Sequence, residues 1–245
     1  PLQFWFKRNS SLALPLISLR SDEKPLIIIE FEEIENLIRG DPTNVDGLHL
    51  SNVCFYADYI YLAKEERLWF VKNRFEVIID QLQMIEQTKT GNSHSIQLNL
   101  LNHPLIELVW VVRDYDIENA TDITKSYTKF TDSTDKNPVS TAIIRINNIE
   151  RFKMRNGRYF NKVQPIHHHS RTPNTSGINV YSFSEKPESL LEYTGSLNAT
   201  HIDNIVLNLE LSESARLKNN RVIVFARNYN VRVVEDGFGR LKYAM

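Results

Sequence analysis

Successive side chains of an extended chain point to opposite faces, so a strand with one face in a core shows an apolar residue at every second position. Ile96, Leu98 and Leu100 alternate with Gln97 and Asn99, and Ile205, Leu207, Leu209 and Leu211 alternate with Val206, Asn208 and Glu210. Both patterns predict half-buried strands. RVIVFARNYNVRVV (221–234) puts Ile223, Phe225, Tyr229, Val231 and Val233 on one side, interrupted by Arg227, and INVYSF (178–183) reads as a further short strand. Gly, Pro, Asn, Asp and Ser clusters separate these runs, which favours a sandwich or jelly roll over an α/β design.

Two stretches are apolar on both faces. In PLQFWFKRNSSLALPLISLR (1–20), Leu2, Phe4 and Phe6 line one side of a strand and Trp5 the other; beyond the polar KRNSS, Leu12, Leu14 and Leu16 oppose Ala13, Pro15 and Ile17. In LIELVWVV (105–112), Ile106, Leu108, Trp110 and Val112 share one face, while Leu105, Val109 and Val111 flank Glu107 on the other. Exposing one large apolar side chain forgoes about 1.5–3 kcal/mol. Several on one outer surface would rival the roughly 5–15 kcal/mol that holds a domain together. A second surface is therefore expected to cover them: a helix, a sister domain or another subunit. Phe4, Trp5, Phe6 and Trp110 become candidate packing and interface residues.

One segment departs from the strand pattern. KEERLWFVKNRFEVIIDQLQMIEQ (64–87) has Leu68, Val71, Phe75, Ile78 and Leu82 at spacings of three and four, with Glu65 and Glu66 near its start. Its first half is expected to be helical, and VIIDQLQM is open between helix and strand. Residues 114–140 are polar and nearly free of apolar periodicity. A loop this long is usually exposed and functional, which makes Asn119, Thr121, Lys125, Asp132 and Lys136 candidate exposed loop residues. No internal repeat or Gly/Ser linker divides the chain, so a single domain over 1–245 is expected.

The composition sharpens this reading by exclusion. Of 245 residues, 24% are charged and 42% apolar, as in ordinary globular domains. With 29 basic against 30 acidic side chains the net charge is −1, which supplies no electrostatic pull toward nucleic acid or an anionic membrane. Cys54 is the single cysteine, so no intrachain disulfide can form; set in NVCFYADYIYL, it reads as a buried, inert thiol. The longest apolar runs fall far short of the roughly 20 residues a membrane-spanning helix needs. Because the chain opens on Pro1 and lacks a signal peptide, it is expected to be a piece of a longer polypeptide.

Candidate chemistry is thin. His167, His168 and His169 would place two imidazoles on one strand face, yet the next acid is Glu185 and the carboxylate spacing of a β-barrel metal site is missing. Hydrogen-bonding or inter-subunit histidines fit better. Glu30, Glu32, Glu33 and Glu35 fit a solvated strand face as well as a glycosidase carboxylate pair. No G-x-S-x-G nucleophile context and no phosphate-binding glycine loop occur. Sequons lie at Asn9, Asn119, Asn174 and Asn198. No catalytic, cofactor-binding or metal-binding residue is assigned.

Seven blocks then define a resemblance: PLQFWFKRNSSLALPLISL, DYIYLAKEER, LNHPLIELVWVV, NGRYFNKVQPIHHHS, GINVYSFSEKPE, HIDNIVLNL and FARNYNVRVVEDGFGRLKY. In this order they resemble segments of the major capsid proteins of nucleocytoplasmic large DNA viruses, and the chain looks like the C-terminal jelly roll of that double jelly-roll family. The resemblance implies an all-β, eight-stranded antiparallel jelly-roll sandwich with a short helical insertion and long loops, preceded in the full polypeptide by a first roll. FWF and LALPLISL would be its first strands, and 114–140 its outward tower loop. It further implies no enzyme activity and no cofactor, homotrimers forming pseudo-hexameric capsomers of an icosahedral shell, and assembly in the host cytoplasm. The implied partners are the preceding roll, neighbouring capsomers and minor capsid proteins, with an internal viral membrane reached through the latter and no direct nucleic acid. The rival from another class is a carbohydrate-binding or glycan-cleaving β-sandwich, which needs exposed Trp or Tyr on a concave sheet face; a cupin-type metal site on His167 and His169 is a third.

Overall fold

The computed structural model describes residues 2–23, 25–37, 47–118 and 128–243. Where one domain is expected, they fall into two compact units. The first holds the described residues up to Ile79 and from Asn230 onward, the second those from Asp80 to Tyr229. The helices are α1 (Ile34–Leu37), α2 (Lys64–Lys72), α3 (Tyr115–Glu118) and α4 (Gln164–His168). The strands are β1 (Phe75–Thr90), β2 (Ser93–Gln97), β3 (Pro104–Asp114), β4 (Val139–Ile146), β5 (Ile149–Glu150), β6 (Arg155–Asn156), β7 (Asn179–Ser182), β8 (Leu197–Asn198), β9 (Ile205–Leu211), β10 (Asn219–Glu235) and β11 (Phe238–Leu241).

In the second unit, one sheet runs β1-β10-β3-β7, with β8 also on β3. The other runs β2-β9-β4-β5, with β6 also on β4. The chain moves from one sheet to the other between β1 and β2 and again between β3 and β4, and the paired strands run antiparallel. Each path carries four strands, and this wrapping of two antiparallel sheets is the jelly roll.

Its core lies between the sheets. Ile96 and Leu98 meet Ile205, Leu207, Leu209 and Leu211 from one sheet, and Leu108, Trp110, Val112, Val222, Val224 and Ala226 from the other. The alternation over 205–211 is borne out in the buried residues of β9. Leu100 departs from its predicted face and is exposed, because β2 ends at Gln97 and the chain turns there, Leu101 N–H donating to the Leu98 carbonyl.

Trp110 requires a correction. Rather than anchoring a neighbour, it has 0% exposure and packs against Phe160, ring centroids 5.1 Å apart, inside the sandwich. The second face of β3 is covered too: Glu107, Val111 and Arg113 are all buried. The face assignment of LIELVWVV also shifts, because β3 carries one extra residue. Arg227 pairs with Glu107 but Asn228 pairs with Leu105, so Ile106 has no partner across the ladder. Its carbonyl instead accepts the backbone N–H groups of Phe183 and Ser184 at 2.9 and 3.2 Å. Past this bulge the strand turns over, and Leu105 and Leu108, three residues apart, both reach the core.

In the first unit, FWF and LALPLISL do not form strands. They fold into 3-10 turns at Trp5–Lys7, Ser10–Leu12 and Leu16–Ser18. Local chemistry favours turns here: the Asn9 side chain accepts the Ser11 N–H at 2.9 Å, and Pro15 removes a ladder donor immediately before the third turn. Phe4 stacks on Phe6 at 5.0 Å, Trp5 meets Phe6 edge-on, and all three are half-buried.

The helix α2 forms as expected, with the Glu66 carboxylate accepting the Ala63 N–H at 2.8 Å. The proposed apolar stripe does not survive, because the strand that starts at Phe75 replaces a period of 3.6 with one of 2. Leu68, Val71, Ile78 and Leu82 are exposed, while Ile79 is buried. On β1, VIIDQLQM is therefore strand. Residues 25–33 and 48–63 form neither helix nor ladder. Cys54, expected in a buried strand, is exposed.

Truncating Trp110 tests the core. Trp110→Ala is expected to lower stability by about 3–5 kcal/mol in urea unfolding monitored by circular dichroism, whereas Tyr56→Ala, at an exposed site, should leave the midpoint nearly unchanged.

Candidate functional site: the assembly surfaces

The surface of the second unit is ordered in rungs. The ion pairs of Arg227 with Asp80 (3.1 Å) and of Arg221 with Glu86 join the outward faces of β10 and β1. Phe225 pairs with Val109, and Ile223 with Val111. Val109 then pairs with Val180 of β7. Two apolar rungs thus lie between charged ones on the outward face of this sheet. Leu82 and Met84 are exposed at its β1 edge, while Ile223, Val111 and Val180 are buried.

One charged rung is nearly dry. Arg227 bridges the carboxylates of Asp80 and Glu107 and donates to the Pro187 carbonyl at 3.1 Å; His169 Nε2 donates to Glu107 Oε2 at 2.7 Å. The Glu107 side chain is 4% exposed. Burial opposes its ionisation, but the His169 hydrogen bond and the Arg227 guanidinium outweigh that and hold the carboxyl below its ordinary value. The network ties the segment after α4 and the segment after β7 onto the sheet, covering the second face of β3. Of the three histidines, His169 belongs to this network, His168 Nδ1 lies 3.1 Å from the Glu185 carbonyl, and His167 is exposed. No group of three or more metal-ligating side chains occurs among the described residues. The signals for this network were an acid within an apolar strand, Glu107, and a base interrupting another, Arg227.

The polar stretch has a folded base. Asn119, Thr121 and Lys125 lie outside the described residues, and Lys136 is exposed. Asp132, expected to be exposed, is instead 8% exposed and organises the turn. One carboxylate oxygen accepts the Thr134 N–H and hydroxyl at 2.8 and 2.7 Å and the Lys136 N–H at 3.1 Å. The other accepts the hydroxyls of Ser212 and Ser214 from the β9–β10 connection. Burial raises its pKa, yet these donors, Ser214 and Thr134 foremost, bring it far below the usual carboxylate range. The loop thus starts from a fixed platform shared with a second connection.

In the first unit, large apolar side chains are exposed along the two unladdered segments: Leu26, Ile28 and Phe31 on one, Val53, Phe55, Tyr56, Tyr59 and Tyr61 on the other. Glu30, Glu32 and Glu33 are exposed beside them. Such exposed apolar sequence is a candidate docking surface.

A family model described as large eukaryotic DNA virus major capsid protein matches residues 66–240, and one described as major capsid protein N-terminus matches residues 1–63. The chain belongs to the major capsid protein family of large eukaryotic DNA viruses. It is 38% identical to the major capsid protein of Pyramimonas orientalis virus over 270 residues, with all of this chain and 60% of that protein covered. It is 30% identical to that of Phaeocystis pouchetii virus, covering all of this chain and 64% of the relative. The chain thus spans less than two thirds of these relatives. Among solved structures, the quasi-atomic model of the PBCV-1 virus capsid aligns with a TM-score of 0.63 at 28% identity, over 76% of this chain and 56% of that one. The Faustovirus major capsid protein shares the fold with a TM-score of 0.62 at 11% identity.

Two measurements probe these surfaces. Breaking the buried network with Glu107→Gln is expected to cost about 3–5 kcal/mol, while the double variant Glu107→Leu with Arg227→Leu costs clearly less than the two single changes summed, read in a double-mutant cycle of urea unfolding. The lowered Asp132 pKa means that its stabilisation is full above the unfolded-state value of about 4 and is lost as pH falls through the folded one. In acid, limited proteolysis at the base of the loop should therefore accelerate in the wild-type chain, and Asp132→Asn should show the fast rate already at pH 7.

Proposed function

We propose that this chain is the closing part of a viral major capsid protein that builds the particle's shell and performs no catalysis. The observation that carries the reading is the coincidence of two antiparallel sheets wrapped as a jelly roll with a family match over 66–240. In this reading three copies associate into a pseudo-hexameric capsomer, capsomers tile an icosahedral lattice in the virion, and the loop seated on Asp132 forms the outward tower. The partners are the chain itself, the preceding roll, neighbouring capsomers and minor capsid proteins beneath the shell, with the internal membrane reached through the minor proteins and no direct nucleic-acid contact. Assembly takes place in the host cytoplasm.

The exposed strand-like segments refine the domain boundary. Residues 66–240 carry the C-terminal roll, and residues 1–63 complete the sheets of the preceding one, with Phe4, Trp5 and Phe6 as packing residues at that junction. Two observations support this: the N-terminal family model ends at residue 63, and apolar residues of 25–31 and 53–61 are exposed. The glycan-binding reading finds less support, since the exposed tyrosines Tyr56, Tyr59 and Tyr61 lie on an unpaired segment rather than a concave sheet.

The test is the mass of a polypeptide in which a first roll precedes this chain. Size-exclusion chromatography with light scattering is expected to give a trimer at micromolar concentration. A monodisperse monomer that never enters particles would overturn the reading.

A further inference from the structure

We propose that His94 makes β2 an acid-released edge of the sandwich, a pH-sensitive latch that stays closed near neutral pH and lets the strand peel away as the imidazole gains a proton. The strand is five residues long and lies at the end of its sheet, hydrogen-bonded to β9 alone in the order β2-β9-β4-β5. Its burial alternates strictly: Ser93, Ser95 and Gln97 face out, His94 and Ile96 face in. His94 sits opposite Leu209, has 0% exposure, and neither ring nitrogen has a hydrogen-bond partner. A neutral imidazole in this place is tolerated; a charged one without a partner is not.

The surroundings favour the neutral form. Burial is the largest influence and lowers the His94 pKa; the Gly91 backbone favours the charged form from close by, outside hydrogen-bond geometry, and the Lys89 ammonium opposes protonation. Of the charged groups on the flanking elements, Lys89 at the end of β1 repels a second positive charge, and Glu210 of β9 is engaged outward by the Thr141 hydroxyl. No carboxylate is therefore placed to receive an imidazolium.

The sign follows from linkage. The unfolded or peeled strand takes up a proton near pH 6.5, whereas the closed one does so only at lower pH, so closure is fully favoured above that value and weakens as pH falls below it. The opening equilibrium should grow by up to about fivefold over the first pH unit below 6.5. Peeling breaks the β2 ladder alone, since β9 keeps its ladder to β4.

Hydrogen exchange of the 245-residue chain, with labelling times corrected for the intrinsic pH dependence of exchange, tests this. Between pH 7.5 and 5.5, protection across residues 93–98 is expected to fall, by up to about tenfold, while the β3 amides stay protected, and His94→Leu is expected to remove the pH dependence. A proton titration of the His94 ring by NMR needs no variant, and should show the folded-state ring titrating below 6.5. Unchanged protection of 93–98 down to pH 5.5, equal loss in His94→Leu, or a folded-state His94 titrating at 6.5 would each overturn the proposal.

Discussion

The second unit is built around a strand with no wet side. β3 is hydrogen-bonded along both edges, to β10 and to β7 and β8, and it contributes Trp110 to the core on one face while its other face is sealed by side chains and connecting segments. Such a strand must satisfy every backbone group through its neighbours and every side chain through packing. Glu107 is where these demands conflict. A carboxylate on a dry face is tolerable because Arg227 and His169 reach it, and in reaching it they hold two surface segments against the sheet. The electrostatic network and the hydrophobic seal are therefore one device, since neither the charge cluster nor the covering segments would be stable without the other.

The two units contrast in how far they meet their own needs. The roll covers both faces of its central strand β3 and seats a polar turn on Asp132, leaving Leu82 and Met84 exposed at the β1 edge. The first unit contains strand-like sequence that forms no ladder, and its aromatics cluster locally, with Trp69 and Phe70 both within 6 Å of the Phe75 ring. This division concentrates fixed order in one part and exposed apolar surface in the other.

How much was legible in the sequence follows from this division. Alternation located β2, β9 and β10 because each has one face in the core, and family resemblance supplied the wrapping of the strands. Periodicity failed where a turn or bulge changed the phase, as at Leu100 and at Leu105, and it misread 1–20 because Pro15 and the Asn9 side chain favour turns over a ladder there. The step from two apolar faces to an outside partner was wrong for Trp110: a central strand can be covered by connections from its own chain, and periodicity does not register those. The Asp132 platform and the buried His94 were hidden for a related reason, since long-range partners such as Ser212 and Ser214 leave no local pattern.

Ile106 shows what one unpaired residue determines. By standing outside the ladder it reverses the phase of its strand, so that the residues before it and after it answer to different geometric clocks. Among descendants of this sequence, gain or loss of a single codon anywhere else in the strand would turn a run of core side chains toward the wrong face. Loss at this point would instead make the ladder regular and keep Leu105 on the core side, while taking away the carbonyl that Phe183 and Ser184 share. The irregularity thus fixes the length of the strand as firmly as its composition.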